Sequence, residues 1–418
     1  MSVPPAAAHP RPSPQAAYAQ WMQACTGAGW TAAPAAERVP VGDALGRVAA
    51  AEVRASWQVP PSACAAMDGI AIAAGSVAAL AQAPGSARLA AGAFAWVDTG
   101  DPIPPGLDTV VERERVELGG DGSARVTGPV PAGLHVRAAG EDFPAGELLI
   151  TPGRRLGPVD LAVAAAAGHA ALEVARRPVI ALIPTGDEVR PAGAVLGPGG
   201  VTDSNSIMLA ARAREAGARA LAGQVAPDQP DVIAAAVTAA AVTADLVLVI
   251  AGSSAGRGDH TAGVLTRAGG LAVRGVAVRP GHPVLLGYAA AGREQGGRGA
   301  VVPAIGVPGY PLAAAVIFEL FAVPLIAALQ GAPPPDRPVQ WARLACDWTS
   351  SPDLEDWVPV SLSPAGGKPD TGAAVVATPG RRGAGAVSRL LRADAWWPIP
   401  AGQAKFVRGE LIAVHPRA

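Results

Sequence analysis

The sequence predicts a multidomain α/β protein: a central, mostly parallel α/β domain, an inserted β-rich domain and a small C-terminal β-barrel-like domain. Three observations carry that expectation. Between residues 178 and 330, apolar runs of strand length alternate with helical stretches, the pattern of a parallel sheet covered on both faces. Residues 59–150 hold short alternating segments separated by Gly and Pro turns, as in GDPIPPGLDTVV and VTGPVPAGLHV. Beyond the stiff Pro-rich linker GAPPPDRP (331–338), residues 339–418 again read as short strands.

Taken in order, residues 1–15 (MSVPPAAAHPRPSPQ) read as a disordered Pro/Ala tail, with no basic region leading into an apolar one and hence no secretory signal. Residues 16–58 and 151–177 form a discontinuous N-terminal scaffold domain. It holds a helical stretch, the alternation RVPVGDALGRVAAAEVRA and a small-residue helix over Pro158 to Gly168. In the α/β domain, Val179 to Ile183, LAGQVAPD and Leu246 to Ile250 are expected strands, with helices over Ser204 to Ala216 and Pro230 to Val242 between them. Apolar segments at Leu271 to Val278 and Val301 to Val307 precede a helix from about Pro311 to Gln330.

Composition narrows the function classes. A formal net charge of -1 without a basic stripe argues against nucleic acid as a partner. The longest apolar run, Leu312 to Leu329, is interrupted by Glu319 and Pro324, which argues against a membrane span. Cys25, Cys64 and Cys346 match no disulfide or metal spacing, and the six histidines show no zinc spacing. These features together point to a cytoplasmic protein.

The polar residues fall at the ends of the expected strands: PTGDE (184–188), GSSAGRGDH (252–260) and PGYP (308–311), joined by VRPGHP (278–283). If the strands are parallel, these loops crowd one sheet edge, where such folds bind ligands. Gly252, Ser253, Ser254 and Gly256 let backbone N–H groups approach a ligand, and Glu188 and Asp259 line the resulting cleft. Asp259 is also suited to cap the next helix, and Asp228 to cap the helix after APDQP. The stretch lacks the Gly-Lys-Ser/Thr of a P-loop, and no G-x-G-x-x-G is present. Carboxylates beside phosphate-sized Gly loops suit an oxygen-ligated Mg²⁺, or a similar divalent cation, next to substrate phosphates. The residues alone indicate a phosphate-handling transferase or binding protein.

These blocks, in this order, resemble the MoeA family of molybdopterin molybdenumtransferases, which includes the gephyrin E domain. The matching stretches are ALGRVAAAEVRA, VPPSACAAMDGIAI, TGDPIPPGLDTVV, RAAGEDFPAGELL, RRPVIALIPTGDEV, TDSN, AGSSAGRGDH, RPGHP and VPGYPLAA. The resemblance implies a homodimer that inserts molybdate into adenylylated molybdopterin, assisted by Mg²⁺ or a similar divalent ion, with release of AMP. It also implies exchange with an upstream adenylyltransferase or a recipient molybdoenzyme. Carried over by position, Asp259, Glu188, Asp68 and Thr99 are the catalytic candidates, with Glu188 and Asp259 as metal ligands. Gly252, Ser253, Ser254, Gly256, Asp142, Asp228, Arg279, His282, Pro308, Gly309 and Pro311 are candidates for holding substrate, with Arg279, His282 or Arg257 facing the oxyanion.

Several positions depart from the family pattern and mark a divergent branch. AGSSAGRG stands for SGGVSVG, MDGIA for MDGYA, RPGHP for KPGKP, PGYP for PGNP, and Asp228-Gln229 for an Asp-Asp pair. They motivate two alternatives: a molybdopterin-binding carrier or scaffold with altered catalysis, and a tungsten-inserting variant.

Overall fold

The computed structural model describes residues 11–32, 35–251, 260–292, 300–364, 375–380, 383, 385 and 387–417. The chain divides into two compact units, residues 36–174 and residues 1–35 with 175–418.

The larger unit is built on a six-stranded sheet. Its strands are β1 (Val179–Pro184), β2 (Arg219–Ala222), β3 (Leu246–Ala251), β4 (Gly269–Arg274), β5 (Leu285–Ala290) and β6 (Val301–Pro308), in the order β2-β1-β3-β6-β5-β4. Strands β2, β1, β3 and β6 run parallel, while β5 runs antiparallel to both β6 and β4. The unbroken apolar runs are explained by burial on both faces. Ile180, Leu182, Leu246 and Leu248 join one core with Trp21, Leu209 and Phe321, whereas Ala181, Ile183, Val247 and Val249 join another with Ile233, Val237 and Leu265.

Two expectations are corrected here. The helix Pro14–Gly27 belongs to this unit and not to a scaffold domain with residues 36–58: Trp21 is fully buried against the sheet, and its indole N–H donates to the Gly287 carbonyl at 2.6 Å. Residues 11–15 are not a tail either. Ser13 caps that helix, and the Pro12 carbonyl accepts from the Ala277 N–H at 2.8 Å. The apolar segment Leu271 to Val278 is divided between two sheets. Gly275, at φ +78°, turns the chain, and Val278–Arg279 pairs instead with Glu355 and Asp356. The expected helix from Pro311 runs to Leu329 and carries Glu319 and Pro324 within it. A π turn at Phe318–Ala322 accommodates the missing Pro324 N–H, and Glu319 pairs with Arg212 at 2.9 Å. Two thirds of this stretch is buried in the core, as a core helix would be.

The C-terminal residues close a barrel. Gln340–Leu344, Val375–Pro379, Glu355–Pro364, Ala395–Ile399 and Leu411–Pro416 pair successively, and the last returns to the first. Ala342, Val358, Val360, Trp397, Ile399 and Val414 fill it.

Residues 36–174 form the second unit. One part packs Ala44, Val53, Ile150, Leu156, Ala164 and Leu172 together. The β-rich part holds the sheet of Phe94–Val97, Gly69–Ile72 and Thr109–Glu112, and a second three-stranded sheet of Ser86–Leu89, Ala124–Thr127 and Val116–Leu118.

Candidate functional site

Parallel strands bring their carboxyl ends to one sheet edge, and the register shows which residues meet there. Pro184 at the end of β1 stands beside Ile250 of β3, and Ala251 stands beside Pro308 at the end of β6. PTGDE, the segment after Ala251 and PGYP therefore leave three adjacent strands at the same edge. The Thr185 N–H donates to the Ile250 carbonyl at 2.9 Å and ties the first loop to β3. Gly252, Ser253, Ser254, Gly256, Arg257 and Asp259 lie outside the described residues.

A cavity of about 460 Å³ opens over these strand ends. Its apolar wall includes Pro184, Val189, Ile250, Tyr310 and Pro311, and its polar groups include Thr185, Glu188, Asp203 and Asn205. A mostly apolar wall with a few placed polar groups is the usual make-up of a small-molecule pocket. Among the described residues that line it there is no Lys, Arg or His. Two helices begin at its rim, Asn205–Glu215 and, with Pro311 as its first residue, Pro311–Ile317. Their N-terminal N–H groups and dipoles favour negative charge.

Local chemistry explains the two loops. Gly186 adopts φ +137°, where a Cβ would stand 2.9 Å from Glu188 Oε2, so glycine lets the PTGDE turn bring the Glu188 carboxylate over the strand ends. Val189–Arg190 then pairs in parallel with Val201–Thr202, which carries the chain to TDSN. There Asp203 accepts the Ser206 N–H at 3.0 Å at the start of the helix, and Asn205 stands at the cavity wall. The Asn205 amide N–H in turn donates to the Gly309 carbonyl at 2.7 Å and joins TDSN to PGYP. Thr185, Asp203, Asn205 and Tyr310 were not among the sequence candidates. TDSN stood out only as part of the resemblance, and Tyr310 only as a departure from it.

The other candidates are dispersed. Gly309 and Pro311 line the cavity, whereas Pro308 ends β6 and is not part of the wall. Asp228 is exposed and off the wall. Its N–H donates to Asp187 at 3.2 Å, and the following helix starts with Gln229, not Asp228, in the cap position. Arg279 is off the wall as well. It forms a two-point ion pair with the buried Asp356 of the barrel, which holds the guanidinium pKa above its usual value. His282 is likewise off the wall, and burial together with the nearby Arg11 pushes its pKa down from the ordinary 6.5. At neutral pH His282 is therefore uncharged and replaces no lysine cation.

In the unit of residues 36–174, Asp68 and Thr99 meet. The Thr99 hydroxyl and N–H both donate to Asp68 Oδ1 at 2.7 Å, and the side-chain bond leads in holding the carboxyl below its usual pKa. Asp142 is exposed, and its backbone N–H donates to the Val59 carbonyl at 3.0 Å. Among the described residues no group of three or more His, Cys, Asp or Glu is placed to hold a metal ion.

Residues 13–168 match the MoeA N-terminal region (domain I and II), residues 181–328 a probable molybdopterin binding domain, and residues 341–416 the MoeA C-terminal region (domain IV). A protein named molybdopterin molybdenumtransferase from Synechococcus elongatus is 30% identical over 412 residues, covering 91% of this chain and 94% of that protein. Molybdopterin molybdenumtransferase 2 of Mycobacterium tuberculosis is 35% identical over 268 residues, 60% of this chain and 61% of that protein's length. A crystal structure described as a molybdopterin biosynthesis MoeA protein from Pyrococcus horikoshii matches 97% of the chain with a TM-score of 0.78 at 28% identity.

Proposed function

The chain belongs to the MoeA family of molybdopterin molybdenumtransferases, and on that premise we propose that it inserts molybdate into adenylylated molybdopterin and releases AMP. The observation that best supports this is the cavity at the ends of β1, β3 and β6, where Glu188 and two helix N-termini meet. The helix N-termini hold the phosphoryl groups without a cationic side chain. The apolar wall receives a ring, and Glu188 presents its carboxylate at the rim.

The donors placed here are oxygens, a set that suits a hard divalent cation such as Mg²⁺ better than a soft metal. Glu188 and Asp259 would hold such an ion, which when bound polarises the phosphoryl linkage as a Lewis acid. Asp68, kept ionised by Thr99, is a further catalytic carboxylate in this reading. The reading includes a cytoplasmic homodimer, supplied by an adenylyltransferase and delivering to a recipient molybdoenzyme.

The test is direct. Purified protein mixed with adenylylated molybdopterin, molybdate and Mg²⁺ is expected to release AMP in a molybdate-dependent reaction. Asp259→Ala is expected to abolish the release while circular dichroism stays unchanged. Tight binding of the pterin with no AMP release would overturn the enzyme reading in favour of a carrier.

A further inference from the structure

Among the described residues, His135 is the one non-glycine residue with a left-handed backbone, at φ +53°. Such a conformation is uncommon for a residue with a Cβ and persists where the surroundings hold it. The imidazole of His135 is anchored. Its Nε2 lies 3.1 Å from Glu112 Oε2, an oxygen that is shielded from water and that no hydrogen bond otherwise satisfies. Burial alone would raise the Glu112 carboxyl, but its own backbone N–H, Arg115 and His135 together hold it below its usual range. Glu112 is therefore a carboxylate at neutral pH.

The turn at His135 is tied to the segment that carries Asp68. The His135 carbonyl accepts from the Ala66 N–H at 2.8 Å, and Val136–Arg137 pairs with Cys64–Ala65. The Asp68 carbonyl accepts from the N–H of Arg113, the residue after Glu112, at 3.0 Å. Glu112 and Arg113 thus hold residues 66–68 from both ends, the first through the imidazole and the second directly. The two Thr99 bonds to Asp68 Oδ1 depend on that placement, because Thr99 stands on a separate turn. That turn is joined to Ala65 by the Gly100 N–H, which donates to the Ala65 carbonyl at 2.8 Å.

We propose that His135 is a positioning residue: its imidazole, anchored on Glu112, keeps the left-handed turn that fixes where the Asp68 carboxylate stands. This rests on the function proposed above for the role of Asp68, but not for its placement, which can be measured without turnover. The groups that act on the Asp68 carboxyl directly are Thr99, burial and Arg113, and neither His135 nor Glu112 is among them. A change in the titration of Asp68 on altering the pair therefore reports a moved carboxylate and not a lost charge.

The experiment follows Asp68 by NMR in the full chain labelled at its aspartate carboxyl carbons, the signal being assigned by its loss in Asp68→Asn. In the wild type Asp68 is expected to titrate below the ordinary carboxylate range. His135→Ala and Glu112→Leu are each expected to raise it toward that range as the Thr99 bonds are lost. Glu112→Leu leaves His135 in place and serves if the alanine variant does not fold. Glu112→Gln, which keeps an acceptor for the imidazole, is expected to leave the titration low. His135→Ala and Glu112→Leu should also lower kcat for AMP release by about tenfold or more with KM unchanged. An Asp68 titration that stays low in both would overturn the proposal and leave His135 as a turn residue only. So would a raised titration with kcat at the wild-type level. Absence of AMP release in the wild type would instead remove the proposed function, and the titration alone would then decide the placement of Asp68.

Discussion

Gly69→Ala is expected to destabilise the unit of residues 36–174 by about 3 kcal/mol, the upper range for an overpacked core position. A Cβ on Gly69 would stand 2.0 Å from the Val111 carbonyl oxygen and 2.9 Å from its carbon. Both atoms are backbone of the paired strand Thr109–Glu112, so no side chain can rotate away. Relief requires the two strands to separate where Ile70 and Val111, both fully buried, meet in the core. The damage reaches Asp68, whose carbonyl accepts from the Arg113 N–H at 3.0 Å at the same strand end. Urea unfolding should show the loss, and hydrogen exchange should show residues 69–72 losing protection. A variant as stable as the wild type would mean that these strands do not pair as described.

Trp21→Ala is expected to cost about 3–5 kcal/mol, the range for truncating a fully buried aromatic side chain. The indole is 0% exposed and packs edge-on against Phe321, with centroids 6.4 Å apart. Its removal leaves a cavity, and it also takes the 2.6 Å indole donor away from the Gly287 carbonyl on β5. The helix Pro14–Gly27 should then detach from the sheet, and proteolysis near residue 27 should accelerate. A loss under about 1 kcal/mol would place the helix elsewhere.

The strands of the α/β unit could be read from the sequence because each is buried on both faces, which turns alternation into runs such as Leu246 to Ile250. The meeting of PTGDE and PGYP followed from the expectation of parallel pairing alone. The docking of the first helix could not be read in the same way. Ala17, Trp21 and Cys25 recur every fourth residue and mark a buried face, yet periodicity does not say against what. The pairing of Arg279 was equally unreadable, because its partner Asp356 lies 77 residues later. The link from Asn205 to Gly309 was hidden for a related reason, since the two lie 104 residues apart.

The measurement closest to the central claim is a crystal structure of the protein with adenylylated molybdopterin bound. The account predicts density in the cavity between Glu188, Asn205 and Pro311, with the phosphoryl groups at the helix N-termini. Density elsewhere, with that cavity holding only solvent, would contradict it.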